Sequence, residues 1–210
     1  ELALRHTRAE YARLILIFAL LLAVPYLLDN YWLGITNTIL IAVIGAVGLN
    51  ILVGFTGQIS LGQGGFLAVG AYASAILSGR AGLPVPVSVL LAVLLTAAVG
   101  AFFGLPALRL KGLYLAIATL ASQEIIMFVV RRWEWLTEGA GYIEVARLNL
   151  FGWQVERKTF EVQWYWILLG ITVVAVLAAR NLFRTALGRS FMAVRDQDIA
   201  AQVIGVNLTA

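Results

Sequence analysis

Apolar residues in this chain fall into blocks about as long as a bilayer-spanning helix, separated by short polar or charged stretches. Between Asp29 and Arg80 lie 50 residues without one charged side chain. A hydrocarbon core about 30 Å thick takes roughly 20 apolar helical residues, so this region holds two spans. Between them sits Gly54-Phe55-Thr56-Gly57-Gln58-Ile59-Ser60-Leu61-Gly62-Gln63-Gly64-Gly65. Irregular polar backbone survives at membrane depth only inside protein or beside a water-filled cavity. The joint therefore reads as part of a conduit wall. Over the whole chain the pattern predicts six spans, near 12–28, 34–54, 64–77, 87–108, 113–130 and 164–179. The third is short and reads as broken or re-entrant.

Composition agrees with a membrane protein: 61% of the 210 residues are hydrophobic and 12% are charged, against about 25% charged in soluble domains. The formal charge of +4 could suggest nucleic acid, but the basic residues cluster at span ends, as the positive-inside bias produces. With the N-terminus in the cytoplasm, nine basic and four acidic residues fall inside, and six of each fall outside. The chain has no cysteine and a single histidine, His6, in the charged N-terminal segment. The sequence after the first apolar block, Val24-Pro25-Tyr26-Leu27-Leu28-Asp29, offers no small-x-small cleavage site, so that block is read as a retained span.

Residues 131–163 form the long outer segment, rich in Trp and Tyr that suit the membrane interface. Its stretches 153–155 and 159–162, joined by Glu156-Arg157-Lys158, alternate enough to predict a small hairpin. Small residues recur at packing spacing: Gly100 with Gly104, Gly70 with Ser74, Ala71 with Ala75. These are expected to let helices approach closely. The joint differs because it also carries Thr56, Gln58, Ser60 and Gln63. Gly57, Gly62, Gly64 and Gly65 would allow positive φ and close approach, while the polar side chains either cap two broken helices or line a path. Glu124 is the one acid inside an expected span, and a mid-membrane charge usually faces protein or a cavity. Near the C-terminus, Asp196 and Asp198 precede 199–204, where negative charge favours a helix start, and Gly205 is a natural stop.

Three ordered blocks carry a family resemblance. The first is Gly48-Leu49-Asn50, Gly54-x-Thr56-Gly57-Gln58-x-Ser60-Leu61-Gly62, Gly65-Phe66 and Gly70-Ala71-Tyr72. The second is Leu108-Arg109-Leu110-x-Gly112-x-Tyr114-Leu115-Ala116-Ile117, Thr119-Leu120 and Glu124-Ile125. The third is Leu187-Gly188-Arg189, Ala193, Arg195, Ala200-Ala201 and Gly205-Val206-Asn207. Together they resemble the permease subunits of branched-chain amino-acid ABC importers, nearest the M-type of the two paired permeases. Gln63 stands where many members of that family have histidine.

The resemblance implies an all-α fold: a polytopic transmembrane helix bundle with a short or broken glycine-rich helix and a small irregular or hairpin extracytoplasmic loop. It implies one permease domain over 1–210, continued by further spans in relatives, with a cytoplasmic coupling segment at 180–210. Candidate path residues are Asn50, Thr56, Gln58, Ser60, Gln63, Gly64, Gly65 and Glu124. Candidate contacts to an ATPase are Gly188, Arg189, Ala193, Arg195, Asp198, Ala200, Ala201 and Gly205. The sequence holds no Walker-type phosphate loop, so ATP and Mg²⁺ are expected on partner chains and no cofactor on this one. Expected partners are a second permease, two cytoplasmic ATP-binding subunits and an extracytoplasmic solute-binding protein, in a bacterial or archaeal inner membrane. A urea or short-amide importer is the alternative within the family. A channel or ion-coupled carrier is the alternative outside it, though carriers generally need ion-coordinating groups near the midplane.

Overall fold

A computed structural model of the chain describes residues 8–107, 110, 112–137, 149–150, 153–154 and 160–196. Helix α1 (Arg8–Leu27) is followed by α2 (Asn30–Asn50), which runs directly into a π-helical segment (Ile51–Phe55). After the joint come α3 (Gln63–Gly79), α4 (Val85–Ala107), α5 (Leu113–Arg132) and the single turn α6 (Glu134–Thr137). A short antiparallel ladder, β1 (Asn149–Leu150) with β2 (Trp153–Gln154), precedes α7 (Phe160–Leu182) and α8 (Ala186–Asp196). The protein is all-α in class and polytopic. Among the described residues four helices are long and apolar enough to cross a bilayer: Asn30–Phe55, Val85–Ala107, Leu113–Arg132 and Phe160–Leu182. The 23 residues of α4 extend about 34 Å at 1.5 Å per residue. In α1 the apolar portion is Ile15–Leu27, and α3 has 17 residues.

The chain divides into two compact units. The first takes the residues up to Val43 together with 156–174. Its core is Leu33 and Leu40 of α2 with Tyr165 and Leu169 of α7, and Leu21, Val24, Val162 and Leu168 pack around them. Tyr165 is fully buried and its hydroxyl donates to the Leu21 carbonyl at 2.6 Å. The reason lies four residues further along α1. Pro25 has no N–H, so it cannot complete the Leu21 carbonyl as an ordinary residue would. Tyr165 supplies the missing donor from another helix. Asn37, also buried, donates to the Glu161 carboxylate at 2.8 Å and to the Glu161 carbonyl at 3.1 Å.

The second unit comprises 44–155 and 175–210. Here α3 lies against both α4 and α5, with Ala73, Ala92, Leu115, Ala116 and Ile126 buried between them. Small residues make the closeness possible: a Cβ on Gly70 would stand 3.4 Å from Thr96 Oγ1. Hydroxyls within the helices turn back onto their own backbone, as Thr96 does on Ala92 at 2.7 Å and Ser122 on Ala118 at 2.8 Å. Such bonding keeps small polar groups satisfied without water.

Several sequence expectations are revised. The third apolar block forms a helix that is short, as expected, but continuous, and the break lies before it, in residues 56–62. The last span starts at Phe160 rather than near 164, because the first-turn Glu161 is held by Asn37 instead of lying in a solvated loop. The hairpin exists in another register: Trp153–Gln154 is its second strand, and 160–162 are helical. Helix α8 ends at Asp196; residues 199–204, where a further short helix was expected, lie outside the described residues.

The Tyr165 contact generates a thermodynamic prediction. Tyr165→Phe should lower unfolding stability in detergent by about 0.6–1.7 kcal/mol, the range for interhelical hydrogen bonds in membrane proteins. In a Pro25→Ala background the same substitution should cost much less, because an alanine at that position gives the Leu21 carbonyl its own backbone donor. Equal costs in the two backgrounds would show that the proline is not what the tyrosine compensates.

Candidate functional site

The joint between α2 and α3 is built by diverting backbone hydrogen bonds. In an uninterrupted α-helix the Gln58 N–H would reach the Gly54 carbonyl. Instead it donates to Leu52 at 3.3 Å, and the Thr56 hydroxyl also donates to Leu52. The chain then turns at Gly57, whose φ is +70°, a value L side chains adopt only with strain. Gly62 N-caps α3 without any side-chain capping bond.

Helix α5 holds the far side of the joint. The Leu61 N–H donates to Thr119 Oγ1 at 2.9 Å. Gly62 and Gly65 are buried: a Cβ on Gly62 would meet the Thr119 carbonyl at 2.9 Å, and one on Gly65 would meet Gln123 Cα at 3.1 Å. Gly64 is as tight, with Gln123 Oε1 at 2.9 Å from its Cβ position. Gln63 reaches back to α2, its Nε2 donating to the Gly45 carbonyl at 3.3 Å. These residues fasten the joint.

A cavity of about 390 Å³ opens where the joint meets the last turns of α4 and the first turns of α5. Its volume falls within the range of about 300–1,000 Å³ common to small-molecule sites. The lining is mainly apolar, with Leu52, Phe66, Phe103 and Leu115, and its polar groups are Gln58, Ser60, Thr119 and Ser122. Gly100 and Gly104 also line it. A Cβ on Gly104 would meet nothing within 4 Å, and one on Gly100 only a Phe66 ring carbon at 3.9 Å. The sequence spacing of this pair predicted a helix-packing motif. In the structure its missing side chains make room instead.

Of the eight candidate path residues, Gln58 and Ser60 line the cavity. Thr56, Gln63, Gly64 and Gly65 shape or brace the joint. Asn50 lies over Gly54, its Oδ1 occupying the space a Cβ there would need. Glu124 is exposed, has no hydrogen-bond partner among the described residues, and is not part of the cavity. Sequence reading missed Thr119 and Ser122, whose i, i+3 spacing in an otherwise apolar stretch places both on one helix face.

The candidate ATPase contacts sit on α8 as far as they are described. The Thr185 hydroxyl accepts from the Gly188 N–H at 3.4 Å, an N-cap arrangement. Gly188 is buried, and a Cβ on it would come within 2.5 Å of both the Leu182 carbonyl oxygen and Phe183 Cα. Arg189 is exposed and donates to the Arg184 carbonyl at 3.3 Å, and Ala193 is half-buried. Arg195 donates from Nη1 to the Gly54 carbonyl at 2.7 Å. Asp198, Ala200, Ala201 and Gly205 lie outside the described residues.

Several spans, with irregular backbone fastened inside protein beside a cavity, are the build of a membrane permease. The chain belongs to the family described as branched-chain amino acid transport system / permease component, whose model matches residues 31–210. It is 33% identical over 220 residues to the high-affinity branched-chain amino acid transport system permease protein LivM of Salmonella typhimurium, covering 94% of this chain and 52% of that one. It is 32% identical over 218 residues to the LivM of Escherichia coli, covering 93% and 51%. The chain thus spans about half the length of these curated relatives. No solved structure matches it.

The two sets of glycines should separate folding from passage. Gly65→Leu drives a side chain into the α5 backbone and should cost folding stability of about 1–3 kcal/mol, the range for overpacking. Gly104→Leu should leave the folded yield near that of the parent and instead obstruct the cavity, cutting transport per folded molecule. Thermal melts and uptake rates normalised to folded protein check both halves.

Proposed function

We propose that the chain is a non-catalytic membrane subunit of an ABC importer that passes branched-chain amino acids inward. It would work with a second permease, two cytoplasmic ATP-binding subunits and an extracytoplasmic solute-binding protein. The observation that carries this reading is the joint: a polar, glycine-rich break in the helices, fastened to α5, forming one side of a mainly apolar cavity. An aliphatic side chain would lie against Leu52, Phe66, Phe103 and Leu115. Gln58, Ser60, Thr119 and Ser122 offer hydrogen bonds to the charged backbone of an amino acid in transit. Family membership supports the transport role, and the names of the LivM relatives support the solute class.

The site suits passage better than retention. Among the described residues its lining includes no charged side chain to hold an ammonium or carboxylate group, so solute would be bound weakly and released. Selectivity would then reside largely in the external binding protein. ATP hydrolysis on the partners would drive alternation of access.

In vesicles containing the assembled complex and its binding protein, ATP should drive uptake of leucine, isoleucine and valine. Urea or acetamide uptake with no branched-chain uptake would assign the chain to the amide-importing alternative. Uptake by the unmodified complex without nucleotide would contradict the importer reading. The topology can be tested separately, since the chain has no cysteine. Single cysteines at Ala81 and Leu110, both exposed, should be labelled from opposite sides by an impermeant reagent, Leu110→Cys from the cytoplasm.

A further inference from the structure

Helix α8 is tied to the joint by three separate features, none of which belongs to the cavity. The π-helical turn diverts the Gln58 N–H to Leu52, which leaves the Gly54 carbonyl without its usual helical donor. Arg195 Nη1 supplies that donor at 2.7 Å, a charge-assisted bond of the stronger kind. The Arg195 stem lies along Gly57: a Cβ on Gly57 would meet Arg195 Cγ at 3.0 Å. Next to Gly54 in the chain, the ring of Phe55 stacks on that of Phe183, with centroids 3.4 Å apart and planes at 16°. Phe183 stands at the end of α7, in the turn that leads into α8. The joint is therefore gripped at Gly54, Phe55 and Gly57 by one continuous piece of chain, 183–195.

We infer that Arg195 is a positioning residue that makes α8 and the π-helical joint move as one body. A displacement imposed on α8 from the cytoplasm reaches the cavity wall at Gln58 and Ser60 through the Gly54 carbonyl. The inference rests on the proposed function for the source of that displacement, an ATP-binding partner. It adds the residue that carries the movement and the backbone atom that receives it. A flexible cytoplasmic connector would need none of these contacts. Equally, a carbonyl orphaned by a π-turn does not require a cation from a distant helix, since water or a nearby hydroxyl would satisfy it. The sequence brings the arginine to this atom from 141 residues away, which is the mark of a mechanical connection.

The test uses the assembled complex in vesicles, with leucine uptake and ATP hydrolysis measured per assembled complex. Arg195→Met keeps the stem over Gly57 and removes the donor. In the complexes that assemble, leucine moved per ATP should fall about tenfold, the scale of a lost charge-assisted hydrogen bond. Arg195→Lys, which retains a donor, should restore most of the ratio. A covalent tie should replace the bond altogether. Cysteines at Phe55 and Phe183, bridged by a short bifunctional thiol reagent, should restore coupling to the Arg195→Met complex and leave a complex with Arg195 intact fully active. If bridging fails to rescue, or arrests the complex with Arg195 intact, the two elements do not move as one body and the inference is wrong. An unchanged leucine-to-ATP ratio in Arg195→Met overturns it as well. An unmodified complex whose hydrolysis ignores solute removes the importer reading itself, and the coupling role with it.

Discussion

The backbone of this protein must complete its hydrogen bonds largely without bulk water, and the fold is arranged around that constraint. In hydrocarbon an unsatisfied N–H or carbonyl costs several kcal/mol, so every departure from regular helix needs a partner brought from elsewhere in the protein. Pro25 interrupts α1, and Tyr165 of α7 answers the Leu21 carbonyl. The joint after α2 interrupts a longer stretch, and its answers come from Thr56, Gln58, Thr119 and Arg195. The repairs by Tyr165, Thr119 and Arg195 are also tertiary contacts. The irregular places are thus the ones where separate helices are tied together.

The joint then does two things at once. Glycines at 62, 64 and 65 let it sit directly on α5, which fixes its position. Glycines at 100 and 104 leave open the space it faces. The polar residues divide in the same way. Gln63 is spent on α2, whereas Gln58 and Ser60 turn to the cavity. A wall that is rigidly backed and only sparsely polar is suited to let an amphiphilic solute by without trapping it. The contact from α8 ties that wall to a further helix through Arg195 and Gly54.

The helices were legible in the sequence because hydrocarbon thickness leaves little freedom in where an apolar block can begin and end. The boundary missed most was that of α7, where Glu161 and Gln163 look like loop residues. A buried Asn37 on α2 compensates Glu161, and no local pattern announces a partner 124 residues away. The joint was legible as a break between helices, since glycine and uncharged polar residues rarely crowd together between apolar blocks. Which glycine packs and which makes room was not legible. Spacing places Gly100 and Gly104 on one face of α4, but what stands opposite that face is a tertiary fact. The same limit hid the bond from Arg195 to Gly54, because its acceptor is a backbone atom with no sequence signature.

The central claim is that the joint's outer face borders a solute path. Its most direct test is the accessibility of a single cysteine at Ser60 in the otherwise cysteine-free chain, within the assembled transporter. A small water-soluble thiol reagent should modify Ser60→Cys, and leucine supplied during ATP-driven turnover should slow that modification. A cysteine at Ala73, buried on α3, should stay unmodified in both conditions. A Ser60→Cys variant as unreactive as Ala73→Cys, or one whose rate is indifferent to leucine during turnover, would contradict the account.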